Sequence, residues 1–489
     1  MSTAPHFGDY TPPIDPRNTL QLVKSGEVEA PEEFDSYPSP AMPMGAARRL
    51  VSDLFTTAEH KTLVFWRGDW WQWQRSSWAR ADSDLEVKGP IWHRLEEVTF
   101  SSKDDEPKPW APTPAKVSNI MEPLAILTRI PDATPAPVWL DGTAPAPLVS
   151  MNNGLLNIRT RELTGHTPAF FNTWALEFDY IPDAQCPTWD RFCAQVFAHD
   201  PKGALLLQEF AGYLISGRGD LHKALLIVGP PRGGKGTISR TLHALIGAAN
   251  VVSPSLSNLG SEFGLAPLIG KPLAVVEDAR ADDDRRNNTT VERLLNIVGQ
   301  DAVSVNRKNK DYWHGTLPTR FILISNETPR FLDSSGAIAN RFMSVRLKAS
   351  FADNPDTHLG EKLHKELPGI FNWALAGLRR LDKQGHFTRP ATMDEMDDLL
   401  SDMASPIAQF LDEYYIVTGA QADVEKVTDA FGQYKMWAEL QGMRPMVRDT
   451  FVQRFQAVNP GIEYKNTRLN GRPGRWFFGI RAKTGDFSE

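Results

Sequence analysis

Cysteine is nearly missing from this chain. Cys186 and Cys193 are the only two in 489 residues, too few for a disulfide framework or a four-ligand zinc site. Their spacing puts both in one helical region, as buried thiols. A secretory signal is missing too, and no apolar run is long enough to span a bilayer. These absences predict a cytoplasmic protein with no membrane partner. Nor is there a surplus of positive charge. The formal net charge is −7, which argues against a nucleic-acid partner unless the charge is unevenly spread. What is present is ordinary for a soluble globular chain: 41% hydrophobic and 23% charged residues. The length predicts two to four domains.

The most informative stretch is Leu225-Leu-Ile-Val-Gly-Pro-Pro-Arg-Gly-Gly-Lys-Gly-Thr237. The apolar run from Ala224 to Val228 reads as a buried strand. After the glycines, Ile238, Leu242, Leu245 and Ile246 recur at helical spacing. Strand, glycine-rich turn and helix form the context that makes this string a phosphate-binding loop. Unpaired N–H groups at the helix start converge on one small volume, and the helix dipole adds partial positive charge there. Glycine lets the backbone curl close to phosphate oxygens. Gly229, Pro230, Pro231, Arg232, Gly233, Gly234, Lys235, Gly236 and Thr237 are therefore the expected ATP-binding residues. Lys235 supplies full charge to the β- and γ-phosphates. Gly236 stands where Ser or Thr is usual, so the Mg²⁺ ligand expected from the loop is the Thr237 hydroxyl.

Two further strands complete the pattern. Pro272-Leu-Ala-Val-Val-Glu-Asp278 ends in two carboxylates. One would hold Mg²⁺ through water and the other would orient the attacking water, which assigns Glu277 and Asp278. Arg320-Phe-Ile-Leu-Ile-Ser-Asn326 ends in an amide that can bond the γ-phosphate. Arg341 follows and can stabilise the transferring phosphoryl group, from its own chain or a neighbour's. Between the two strands, Ala302 to Val305 reads as a strand leading to a basic tip of Arg307, Lys308 and Lys310.

The flanks are less explicit. Residues 1–45 are rich in proline and acid, which predicts a disordered or extended tail. An α+β domain is expected over 46–200. It contains Leu63-Val-Phe-Trp-Arg-Gly-Asp-Trp-Trp-Gln-Trp-Gln74, a hairpin turning at residues 67–69. Its tryptophans either stack on bases or pack internally. A second hairpin is expected over 151–163, after a proline-rich stretch from 101 to 150, and helices over 183–214. The motor would span 201–385 and a linker 386–404. Over 405–489 the order of helices followed by a hairpin suggests a winged helix-turn-helix. From Lys435 to Lys483 ten Lys and Arg face three acids. The wing tip carries Arg468, Arg472 and Arg475, a pattern suited to phosphate backbones.

The motifs at residues 229–237, 275–278, 303–310 and 324–329, with Arg341, occur in one order. Together they resemble a superfamily III helicase, the viral and phage branch of the AAA+ ATPases. More narrowly they resemble the phage/plasmid and poxvirus-type primase-helicases. Asn152-Asn-Gly-Leu-Leu-Asn-Ile-Arg-Thr160 and Leu207-Gln-Glu-Phe-Ala-Gly-Tyr-Leu214 are similar to the region ahead of the motor there. The fold so implied is α/β: an AAA+ P-loop NTPase core between an α+β domain and a winged helix. The activity implied is ATP- and Mg²⁺-dependent replicative DNA unwinding for a phage, prophage or plasmid in a bacterial host cell. It would run 3′ to 5′ on single-stranded or forked DNA, as a homo-hexameric ring. In that resemblance Glu277 and Asp278 are the Walker B pair and Asn326 the sensor. Arg341 is the arginine finger, and Lys308 and Lys310 lie on the channel hairpin. Its partners would be a separate primase or polymerase, because residues 1–150 offer neither a zinc site nor a clear Asp-x-Asp pair.

Two rivals remain. An origin-binding initiator or helicase loader would use ATP for assembly without processive unwinding. A small-molecule nucleotide kinase would need an arginine-rich lid soon after the loop, and none is seen.

Overall fold

The computed structural model describes residues 36–57, 60–101, 106–277, 279, 286–308, 310–329, 340–351, 356–396, 406–441, 445–459, 461–469 and 472–483. For 286–288, 310, 406, 409 and 472 it describes the backbone alone. The expected tail up to residue 35, Asp278 and part of the expected linker lie outside these residues.

The N-terminal unit is built from α1 (Pro43–Leu54), β1 (Leu63–Trp66), β2 (Asp69–Trp73), β3 (Trp78–Arg80), α2 (Leu85–Glu96) and α3 (Pro114–Thr128). Its packing begins ahead of the expected start at residue 46. Ser36 bridges Thr99, and the buried Tyr37 donates its hydroxyl to Asp53 at 2.5 Å. The ring of Tyr37 supplies the apolar burial that a proline-rich tail lacks. Helix α3 lies within the stretch that the sequence marks only as proline-rich. Pro114 occupies the first turn, where no N–H is needed, and Val117, Ile120 and Leu124 face the core at helical spacing. Two hairpin tryptophans pack internally: Trp66 and Trp71 surround Phe171 together with Trp78 of β3.

The central unit is a five-stranded parallel sheet. Its strands are β6 (Ala224–Val228), β7 (Val251–Val252), β8 (Leu273–Val276), β11 (Arg320–Ser325) and β12 (Phe342–Arg346), in the order β7-β8-β11-β6-β12. Both faces are covered, which is why β6 reads as an unbroken apolar run. Leu225 and Ile227 point into one core with α5 (Lys202–Ile215), α6 (Lys235–Ile246) and α9 (Leu367–Gln384). Leu226 and Val228 point into the other, with Leu294 and Ile297 of α7 (Arg286–Val298). Ahead of the sheet come β4 (Leu148–Met151), β5 (Gly154–Asn157) and α4 (Pro187–Val196), while α8 (Leu359–Lys365) precedes α9. The boundary expected at residue 200 falls inside the first core, because Trp189, Val196 and Phe197 are buried in it. Between β8 and β11 stands an antiparallel hairpin, β9 (Ala302–Arg307) and β10 (Lys310–Thr316).

Helices α5 and α9 cross at backbone contact. A Cβ on Gly377 would lie 2.2 Å from the Gln208 carbonyl oxygen, and one on Gly212 would lie 2.5 Å from that of Ala374. The buried Glu209 carboxylate locks the crossing. It accepts from Arg380 Nε at 2.6 Å, Thr388 Oγ1 at 2.7 Å and the Thr388 N–H at 2.7 Å. Gly377→Ala should therefore cost about 1–3 kcal/mol of stability. Urea unfolding checks this, and an unchanged midpoint would mean that the helices can part freely.

The C-terminal unit runs α10 (Pro406–Tyr414), β13 (Tyr415–Val417), β14 (Val424–Lys426), α11 (Val427–Leu440), α12 (Arg448–Val458), β15 (Glu463–Leu469), β16 (Arg472–Phe478) and β17 (Ile480–Ala482). Strands β14, β16 and β15 form an antiparallel sheet over its own aromatic core of Phe410, Phe451, Phe455 and Phe477.

Candidate nucleotide cleft and nucleic-acid surfaces

Strands β8, β11 and β6 are neighbours, so their C-terminal ends present one continuous edge. In open parallel sheets this edge is where ligands bind. Here it opens into a cleft of about 870 Å³ whose lining includes residues 231–237, Glu277 and Asn326. Loop, acid and amide, separated by up to 95 positions in sequence, are brought to one place. Asp278 lies outside the described residues.

The loop is held in shape by its neighbours. Gly229 comes so close to the strand exit that a Cβ there would meet Leu347 at 2.8 Å. Gly234 adopts a left-handed φ of 95°, which favours glycine. Phe351 N–H donates to the Arg232 carbonyl at 3.1 Å and pins the loop from outside. Lys235 opens α6 and folds back over the loop. Its Nζ donates to the Gly229 carbonyl at 2.6 Å, the Pro230 carbonyl at 2.7 Å and Asn326 Oδ1 at 2.9 Å. Burial holds its pKa below the usual lysine value. An ammonium on two backbone carbonyls and one amide is ready to exchange them for phosphate oxygens. Four cations line the cleft, Arg191, Arg232, Lys235 and Arg240, against the carboxylates of Glu277 and Asp356. That balance suits a polyanion. Thr237 lines the cleft as well, with the carboxylates of Glu277 and Asp356, oxygens of the kind that Mg²⁺ takes.

Sequence reasoning missed the second wall. Helix α4 contributes Thr188, Arg191, Phe192 and Gln195. Those positions share one helical face, a signal present in the sequence but silent about what the face meets. The N-terminus of α4 is capped from far away. Glu366, between α8 and α9, accepts from the Thr188 and Trp189 N–H groups at 3.0 Å. Arg341 does not line this cleft. Its guanidinium lies beside Gly299, 3.5 Å from where a Cβ would sit there.

The hairpin corrects one expectation. Arg307 is not part of an exposed tip. It is buried, and its Nη1 meets Asp69 Oδ2 of the N-terminal unit at 2.6 Å. Strand alternation is the cause, since Arg307 shares a face with the buried Val305. Arg67 lies over Trp66 and Trp313, at 4.3 and 5.3 Å from the ring centroids. Burial pushes its pKa below the ordinary guanidinium value. Lys308 is exposed. The side chain of Lys310 lies outside the description. The outward face of β10 carries two residues that the sequence did not flag, Tyr312 and His314. Both are exposed, and their rings stack with planes 20° apart. In the C-terminal hairpin Arg468 and Arg475 are exposed, and the Asn466–Arg475 register puts them on one face. The side chain of Arg472 lies outside the description.

Two family models match parts of this chain. Residues 58–198 match the D5 N terminal like family, and residues 227–341 match a family of unknown function, DUF5906. Among solved structures, the apo C-terminal region of NrS-1 (305–718) is 16% identical, with a TM-score of 0.43, covering 62% of this chain and 79% of that one. Its A form is 17% identical with a TM-score of 0.41, over the same shares. No described helix is long and apolar enough to cross a membrane.

Proposed function

We propose that this chain is an ATP-driven DNA motor of the phage primase-helicase type, in the superfamily III branch of the AAA+ ATPases. The observation that carries the reading is the Lys235–Asn326 contact at the shared edge of β6 and β11. A phosphate-loop lysine touching the amide of the adjacent strand is the geometry needed to sense a γ-phosphate. The D5 N terminal like match at residues 58–198 supports the same reading. ATP with Mg²⁺ fits the cationic cleft. Lys235 and Thr237 take the phosphates and metal, with Glu277 and Asp278 as the acids. Arg341, away from its own cleft, acts on the site of the next subunit in a homo-hexamer. Unwinding runs 3′ to 5′ on forked DNA in the bacterial cytoplasm, alongside a separate primase or polymerase.

On this reading the hairpin grips the strand through Lys308, Lys310 and the Tyr312–His314 face. Stacking on an aromatic ring contributes about 1–3 kcal/mol per base. The double variant Lys308→Ala with Tyr312→Ala should weaken single-strand binding by roughly tenfold or more. Fork unwinding should stop while basal ATP hydrolysis survives. Normal unwinding by this variant would transfer the translocation role elsewhere. The initiator or loader reading draws on the exposed Arg468 and Arg475 and on the α-β-β-α-α-β-β-β order of the C-terminal unit, which we read as a winged helix. It requires tight duplex binding by that unit and ATPase activity indifferent to single strands.

A further inference from the structure

Arginine converges at a second seam, at the opposite edge of the sheet from the phosphate loop. Arg159 and Arg161 follow β5, Arg218 follows α5, and Arg379 sits on α9. A cleft of about 510 Å³ lies between them, walled by Ile158 and Leu378 and lined by Arg159, Arg218, Arg379 and Asp382. The one carboxylate of that lining is already engaged. Arg218 pairs with Asp382 and with Asp220, the latter at 2.7 Å. Neither Arg159 nor Arg379 has a carboxylate within ion-pair distance among the described residues. Arg161, behind the cleft lining, stands beside Arg379 and hydrogen-bonds Tyr180, while its Nε is buried with no acceptor among the described residues. Burial, and then the like charge of Arg379, hold its pKa below the ordinary guanidinium value. Its left-handed φ of 69° belongs to the turn that follows β5, where its N–H donates to the Asn157 carbonyl at 2.8 Å.

Guanidiniums gathered in excess of their counter-charge repel one another. An anion with several oxygens in the cleft relieves that repulsion. Guanidinium forks match phosphate in geometry as well as in charge. We propose that this seam is a second phosphate-binding site, taking the phosphodiester backbone of a nucleic-acid strand. The anion site rests on the seam alone, while the choice of nucleic acid rests on the function proposed above. The site is separate from the ATP cleft. Arg320, at the start of β11, donates to the Arg218 carbonyl at 2.6 Å, whereas Asn326, just past the end of β11, touches Lys235. The strand's six residues put roughly 20 Å between the two.

The test uses the full chain, a fluorescein-labelled oligothymidylate of about thirty nucleotides, and a salt series read by anisotropy. Arg159 and Arg379 are exposed, so Arg159→Gln with Arg379→Gln should fold normally, and Arg379→Glu provides a second variant. Affinity at low salt should fall on the order of tenfold, and the log–log salt slope should flatten by about 1.4, two contacts at ~0.7 each. The Arg379→Glu change should lose more. A parallel arm measures tripolyphosphate binding to wild type and variants by calorimetry. Loss in the oligonucleotide arm assigns the strand backbone. Loss confined to tripolyphosphate retains the anion site but assigns a free polyphosphate and overturns the strand. No loss in either arm, with unfolding midpoints as in wild type, overturns the site. Basal ATPase is followed in the same samples. Its absence from wild type would sink the motor reading and leave both binding arms decisive for the seam.

Discussion

Lys235→Ala should lower ATP hydrolysis by about a thousandfold, the scale on which one preorganised charged donor acts in a transition state. Its ammonium reaches two carbonyls of the loop and the Asn326 amide at once. No other cation of the cleft is so placed. Arg191, Arg232 and Arg240 are exposed at its margins, whereas Lys235 is buried. On the proposed reading, Nζ would exchange the carbonyls for phosphate oxygens when nucleotide is bound, and the Asn326 amide would be freed toward the γ-phosphate. Alanine leaves that position without charge and the amide without its partner. Phosphate release at saturating Mg²⁺-ATP is the measurement. Turnover within tenfold of wild type would remove Lys235 from the chemistry and the motor reading with it.

The second large effect is on stability. Asp69→Ala should destabilise the protein by about 3–5 kcal/mol, because it strands a buried guanidinium. The side chains of Arg307 and Asp69 are 9% and 3% exposed, so water cannot take over from the lost partner. The two single variants should differ. Arg80 also approaches Asp69, at 4.0 Å. Arg307→Ala leaves the carboxylate that second cation, whereas Asp69→Ala leaves two guanidiniums together. Asp69→Leu combined with Arg307→Met should recover most of the loss, since apolar pairs often replace buried ion pairs at little cost. Thermal unfolding of the four proteins reads this directly. A loss below about 1 kcal/mol for Asp69→Ala would mean that the pair behaves like a surface contact.

The sequence made the sheet legible through its unbroken apolar runs, and the loop through the glycines around Lys235. Both signals are local. The strand ends at Glu277 and Asn326 could be read as candidate partners of the loop, because each closes another buried apolar strand downstream of Lys235. Arg307 was misread for a simple reason: a cluster of basic residues looks exposed. Yet the alternation Val303-x-Val305-x-Arg307 already places the arginine on the inward face. The wall formed by α4 was beyond reach. Its partners are Gly234 in the loop and Glu366, 178 positions away from Thr188, and no periodicity encodes a contact of that span. Helix α3 shows the opposite failure. Its prolines masked an ordinary apolar stripe.

The remote cap supplied by Glu366 sets where this protein can be cut. A fragment beginning at residue 201 would keep every phosphate-binding residue and still be a poor object for biochemistry. It would lose Trp189, Phe192, Val196 and Phe197, which close the apolar face of α5, α6 and α9. The bared surface would invite aggregation, and the Glu366 carboxylate would have no amides to receive. A fragment beginning near residue 147 keeps β4, β5, α4 and the cap. Truncation series aimed at a minimal ATPase should therefore lose yield abruptly between those two starting points, well before they reach the loop itself.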